Sequence, residues 1–140
     1  MKVVPEECVY RHNKPIFVVS EHKSKVIFNN PARHEIEEIK IDGCVYTTAI
    51  GSRCDYMIHV GKRDITILVE LKGSHVEDAM KQLKATHQEL KNCFKSNVFW
   101  IISYSGNPQF TTKIQNFKKV ALSQFNATFL VRKSGHSLNI

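Results

Sequence analysis

Three residues stand out for the chemistry that their types and spacing allow. Asp55 is followed, after fourteen intervening residues, by Glu70-Leu71-Lys72. Two carboxylates held side by side repel each other, and an ordinary structural sheet avoids that pairing. A hard divalent cation reverses the sign, because it takes oxygen ligands and its charge outweighs the repulsion. A lysine beside such an ion can orient or deprotonate a water, or stabilise negative charge as it develops. Ion, acids and fixed cation together make a hydrolytic site for phosphodiesters. An acid-x-base triplet alone is ordinarily a solvated ion pair. What separates this one is its context, since Glu70 sits in a run otherwise apolar from Ile65 to Leu71.

The elements that must position these groups are two strands. Cys54 to Val60 and Ile65 to Lys72 carry strand-type runs, and Gly61-Lys62-Arg63-Asp64 between them supplies a turn, which predicts an antiparallel hairpin. Side chains alternate along a strand, so Ile65, Ile67, Val69 and Leu71 share one face, as do Tyr56, Ile58 and Val60 on the partner. Setting Val60 opposite Ile65 puts Tyr56 opposite Val69. It then places Asp55 opposite Glu70 and Arg53 opposite Lys72. A slip of one residue would put the apolar faces on opposite sides, so the register is constrained.

Around this hairpin the chain reads as strands first, then helix, strand, helix, strand. Ile16 to Ser20 and Lys25 to Phe28 form a second hairpin, turning at residues 21–24. Asn30-Pro31 predicts a short helix or turn, running into a strand from about Ile39 to Ile50 with a bulge at Gly43. Ser74-His75-Val76-Glu77 has the form of a capping box that opens a helix reaching about Phe94. Val98 to Ile102 is a strand apolar on both faces, and Trp100 within it is a core residue. Gly106-Asn107-Pro108 is a turn, Thr111 to Phe125 a second helix, and Ala127 to Arg132 a last strand. No repeat or long linker divides the 140 residues, so the expectation is one mixed α/β domain over residues 1–140.

Charge and cysteines set further expectations. Twenty Lys and Arg against thirteen Asp and Glu give a net charge of +7, which favours a polyanionic partner. Lys81, Lys84, Lys118 and Lys119 on the helices are candidate phosphate contacts, and Arg53 is expected to point into the site. His75 and His87 read as solvated helix residues. No apolar run approaches the about 20 residues that a membrane span needs. Met1-Lys2-Val3-Val4-Pro5 offers no signal-peptide core, so a cytoplasmic location is expected. Cys8, Cys44, Cys54 and Cys93 show no CxxC pair, which predicts reduced thiols and no zinc site.

Asp55, the fourteen-residue interval and Glu70-Leu71-Lys72-Gly73, on a buried strand followed by a helix, resemble the PD-(D/E)XK nuclease superfamily. The resemblance covers roughly Ile39 to Tyr104. It implies a restriction-endonuclease-like core, a mixed sheet flanked by helices, and Mg²⁺-dependent phosphodiester cleavage with Mn²⁺ as a substitute. It also implies that Asp55, Glu70 and the Leu71 carbonyl hold the ion while Lys72 assists the attacking water. Cys54 stands where the superfamily has Pro. An acidic residue on an N-terminal helix would be matched by Glu35 or Glu38, and more weakly by Glu21. Gln82 resembles the helix glutamine of some exonuclease branches, although Thr86 replaces the tyrosine that follows it there. DNA is the substrate implied ahead of RNA. A chain this short implies a homodimer or a protein partner for specificity. The rival expectation is a nuclease-like subunit that binds nucleic acid or assembles without cleaving.

Overall fold

The computed structural model describes residues 2–21, 24–49, 51–72, 75–106 and 112–140, with the Lys72 side chain outside that description. Nine strands and two α-helices are present among the described residues. In chain order they are β1 (Val9–His12), β2 (Ile16–Glu21), β3 (Ser24–Asn29), β4 (Ile36–Lys40), β5 (Tyr56–Val60), β6 (Ile65–Lys72), α1 (Val76–Leu90), β7 (Asn97–Tyr104), α2 (Thr112–Phe125), β8 (Ala127–Lys133) and β9 (Ser137–Asn139). The main sheet has the order β1-β4-β5-β6-β7-β8, and a smaller one the order β2-β3-β9. Strands β1, β4, β5 and β6 are antiparallel, whereas β6, β7 and β8 are parallel and joined through α1 and α2. The result is three layers, with helices on one face of the main sheet and the small sheet on the other.

Alternation along the central strands explains the layering. Met57, Leu68, Trp100 and Ile102 pack with Val76, Ala79, Leu83, Leu90 and Ala121 on the helix side. Ile58, Ile67, Val69, Leu71 and Ile101 pack with Phe17, Val19, Val26 and Phe28 of the small sheet. A strand with both faces covered must be apolar on both, which is how β6 and β7 read. No helix among the described residues is long and apolar enough to cross a membrane.

Three expectations change. Of the short helix or turn expected, the turn forms after Asn30. Its buried side-chain amide donates to the carbonyls of Lys14 and His34, and its oxygen accepts the His34 N–H at 3.0 Å, closing a turn instead of capping a helix. The following strand begins at Ile36 and ends at Lys40, where the expectation had it running from Ile39 to Ile50. Past it the chain turns at Gly43, whose φ of +92° suits a residue without Cβ. Helix α1 ends at Leu90 and a 3₁₀ turn over Lys91–Cys93 follows, short of Phe94. The proposed Ser74 cap and the 107–108 part of the next turn lie outside the described residues; His75, at the N-cap, makes no capping side-chain hydrogen bond.

The third change concerns the cysteines. Cys8 and Cys44 are joined by a disulfide, with Cα atoms 5.7 Å apart, and only Cys54 and Cys93 are free thiols. Antiparallel pairing of Val9 with Ile39 sets the start of β1 beside the end of β4. Cys8 immediately precedes β1 and Cys44 follows β4, so the sheet register brings together residues 36 apart in sequence. Short-spacing rules do not detect such a pair.

Candidate active site

The β5–β6 hairpin has the register that parity demanded, with Val60 opposite Ile65, Ile58 opposite Ile67 and Tyr56 opposite Val69. Its turn closes at Asp64, which adopts the left-handed conformation. The entry to β5 departs from the simple ladder. The Asp55 N–H donates to the Val69 carbonyl at 3.1 Å, although Tyr56 is the residue paired with Val69. The chain thus joins the sheet one residue out of step, the kind of irregularity that re-aims side chains at strand ends. Asp55 Oδ2 accepts the Leu71 N–H at 2.8 Å, so the carboxylate takes the place of the next backbone rung.

Glu70 is 1% exposed and Asp55 7%. By the pleat of β6, Glu70 lies on the helix side, alternating with Val69 and Leu71, which face the small sheet. The two carboxyl groups are within hydrogen-bonding reach of each other. Burial pushes the Asp55 carboxyl above its ordinary range. Hydrogen bonds to Glu70 and to the Leu71 N–H pull it down, and the charges of Glu21 and Asp42 push it up again. A hydrogen bond between carboxyls requires one of them to keep a proton, and a cation placed between them would take that proton's role.

The donor set fits a hard divalent ion. Both side chains offer oxygen. The N–H and C=O of a strand residue point to the same side, so the Leu71 carbonyl is aimed toward Asp55, past the end of β5. No group of three or more His, Cys, Asp or Glu gathers as a metal cluster among the described residues. Two carboxylates, with the rest of the sphere left to carbonyl and water, would suit Mg²⁺ better than Zn²⁺ or Ca²⁺.

No family model, curated protein or solved structure matches this chain.

The other sequence candidates divide. Lys72 ends β6 opposite Tyr104, and its side chain lies outside the described residues. Gln82 is buried on α1 and donates through Nε2 to the Gly51 carbonyl, while its Oε1 is buried without a hydrogen-bond partner among the described residues. Asp42 accepts the Gly51 N–H through its carboxylate. Thr86, one helical turn after Gln82, accepts the Cys54 N–H at 2.8 Å and donates to the Gln82 carbonyl at 2.7 Å. Gln82 and Thr86 thereby fix the segment that delivers Asp55. The Cys54 thiol is pushed up by burial and stays protonated.

Glu35 and Glu38 are not brought to the acids. Glu35 is exposed in a loop. Glu38 sits on β4 opposite Ile58, on the small-sheet side, and meets His12 Nε2 at 3.1 Å. Without an N-terminal helix, nothing carries an acid from that segment around the sheet. Arg53 also misses its expected place opposite Lys72. Paired strand ends at Tyr56, and Arg53 turns outward to pair with Glu89 and lie 4.9 Å over the Tyr46 ring. Lys81, Lys84, Lys118 and Lys119 are exposed on the outer helix faces.

Sequence reading passed over Lys40. Its Nζ is 3.2 Å from Glu21 Oε2 and 4.9 Å from the Tyr56 ring centroid. Burial lowers its pKa, but Glu21, Tyr56 and Asp55 together outweigh burial and raise it. Parity alone could have shown that Lys40 parts company with Ile39 and Ile41; its partners could not be read that way.

Proposed function

We propose that this protein is a metal-dependent nuclease on a restriction-endonuclease-like core, hydrolysing phosphodiester bonds in nucleic acid, DNA ahead of RNA. The observation that carries the reading is the burial of two carboxyl groups, Asp55 and Glu70, at the carboxyl end of β6, where Asp55 is held by the Leu71 N–H beside Glu70. Ligands of α/β proteins bind at the carboxyl ends of parallel strands. The order β4-β5-β6-α1-β7, an antiparallel meander followed by a parallel crossover, supports the same reading.

Asp55 and Glu70 would hold Mg²⁺, with the Leu71 carbonyl as a further oxygen. When bound, the ion supplies Lewis-acid polarisation of the scissile phosphate and acidifies a coordinated water. Asp55 is kept in place by the Leu71 N–H, and Glu70 by its position in a strand covered on both faces. Lys72, two residues beyond Glu70, is assigned to the attacking water or to the negative charge that grows on the phosphate. A second copy of the chain or a protein partner is assigned to substrate recognition.

The test is incubation with linear, circular and branched DNA plus Mg²⁺ or Mn²⁺, with a chelator control. The parent should cleave only with metal. Asp55→Ala and Lys72→Ala should each lower the rate at least about 10²-fold, the scale of losing one preorganised electrostatic contact. Cleavage that survives both substitutions, or the chelator, overturns the reading. Metal-independent binding with no product from any substrate would favour a non-cleaving subunit.

A further inference from the structure

The parallel strands beside the acids end in cations that the cleavage chemistry leaves unassigned. Glu70, Ile102 and Val131 form one row across β6, β7 and β8, and Ile102 and Val131 face the helices. The next row of the same parity is Lys72, Tyr104 and Lys133. Arg132 lies one position back, opposite Ser103. The small sheet is fastened to this same end. Ser134 N–H donates to the Tyr104 carbonyl at 2.6 Å, and Gly135 N–H to the Lys25 carbonyl at 2.9 Å. Lys25 N–H donates to Ser134 Oγ at 3.0 Å, and the buried Ser24 hydroxyl to the Ser103 carbonyl at 2.8 Å. The start of β3, the end of β7 and the turn after β8 are therefore one rigid rim.

Lys25 and Lys133 are exposed on that rim, and Arg132 is half-buried. Among the described residues none of the three is paired with a carboxylate. The chain has no acidic residue after Glu89. The first turn of α1 carries Glu77 and Asp78, and Lys113 of α2 is engaged by Glu77 at 3.1 Å. A polyanion approaching the acids thus meets acidic residues at the start of α1 and only cations along the rim.

We propose that this rim grips the sugar–phosphate backbone of the nucleic acid beside the scissile position, with Lys25, Arg132 and Lys133 as phosphate contacts. The inference rests on the nuclease reading and moves substrate binding away from the helix lysines. The dimensions agree. Strands lie about 4.8 Å apart, so β8 is about 10 Å from β6. A duplex strand carries one phosphate per about 3.4 Å of axis, so a backbone engaged at β6 presents its neighbouring phosphates to β8.

The test is anisotropy titration of labelled duplex DNA, single-stranded DNA and RNA in chelator, which separates binding from cleavage. Lys25→Glu with Lys133→Glu should weaken binding at least about 10-fold at low salt. It should also reduce the slope of log affinity against log salt by about two, one per lost phosphate contact. Lys25→Arg with Lys133→Arg should bind like the parent. Lys118→Glu with Lys119→Glu, on the outer face of α2, should stay within about two-fold, and the thermal melts of all variants should match. Unchanged binding by the rim variant overturns the rim and leaves the nuclease reading standing if that variant still cleaves. Binding through the rim in a protein that never cleaves sinks the nuclease reading alone. Failure of the parent to bind all three nucleic acids at low salt overturns the proposal.

Discussion

Asp55 shows how one side chain can carry both a structural and a chemical load. Its carboxylate completes the β5–β6 ladder through the Leu71 N–H and meets Glu70 in a site where burial disfavours charge. Because burial raises its pKa, the folded chain retains a proton that the unfolded chain has already released. In chelator, this group's contribution to stability is fully present below the unfolded carboxylate range and is lost as pH rises through the raised folded value. Asp55→Asn keeps an oxygen for the Leu71 N–H and removes the charge. At pH 7 without metal it should melt a few degrees above the parent, the shift that about 1 kcal/mol gives a domain of this size. Added Mg²⁺ should raise the melting temperature of the parent and not of the variant. A variant that melts below the parent in chelator, or gains equally from Mg²⁺, contradicts the assignment of Asp55 to the ion. Strand parity predicted Asp55 directly opposite Glu70, whereas the ladder ends at Tyr56 and Asp55 bonds the Val69 carbonyl instead. The direction of Arg53 was not legible, because the ladder stops before reaching it and Glu89 and Tyr46 compete for the guanidinium.

The segment between β4 and β5 is held by contacts that no local pattern announces. The disulfide ties Cys44 to the start of β1, Tyr46 and Arg53 both meet Glu89 of α1, and Gln82 holds Gly51. Closing a loop with a sequence separation of 36 removes unfolded-state entropy worth about 3–4 kcal/mol on the chain-entropy model. Cys8→Ser with Cys44→Ser should lower unfolding free energy by that order, read from urea denaturation. A reductant should lower the parent to the same value and leave the variant unmoved. Equal stability with and without reductant would mean the bond contributes nothing. Disulfides persist mainly in oxidising compartments, so this one counts against the cytoplasmic expectation. Among the elements, the β5–β6 hairpin, β7, α2 and β8 could be read from apolar period and turn residues. Strands β1 and β9 are short, and their pairings are with β4 and β3, far away in sequence.

At the scale of the whole molecule, the helix layer is docked through one aromatic cluster. His87 of α1 lies 5.3 Å from Trp100 of β7 and 5.0 Å from Phe125 of α2, and its Nδ1 accepts the Trp100 indole N–H at 3.2 Å. His87 was expected to be solvated. It is 8% exposed, and its place one turn after Leu83 on the apolar stripe of α1 was the signal available. Burial first, then the Lys91 charge, hold its pKa down to about 4. The unfolded chain takes up this proton near pH 6.5 and the folded chain only near pH 4. Stability from His87 is thus full above pH 6.5 and should fall by about 3 kcal/mol as pH drops to 4. Unfolding followed by the fluorescence of Trp100, the single tryptophan, should show this loss. His87→Gln, which keeps an acceptor for the indole, should flatten it. An unaltered pH profile in that variant would assign the loss to other groups.

The apolar faces of β5 and β6, with the short turn between them, determined by themselves the register in which the two strands pair, since a one-residue slip would set those faces on opposite sides. That register predicted the meeting of Asp55 with Glu70. The tertiary structure decided what surrounds the acids: the disulfide, the destination of Arg53, and the small sheet, whose β3 starts beside the end of β7. Those depend on contacts between residues far apart in the chain, and such contacts form only when buried surface compensates the cost of closing the loops between them.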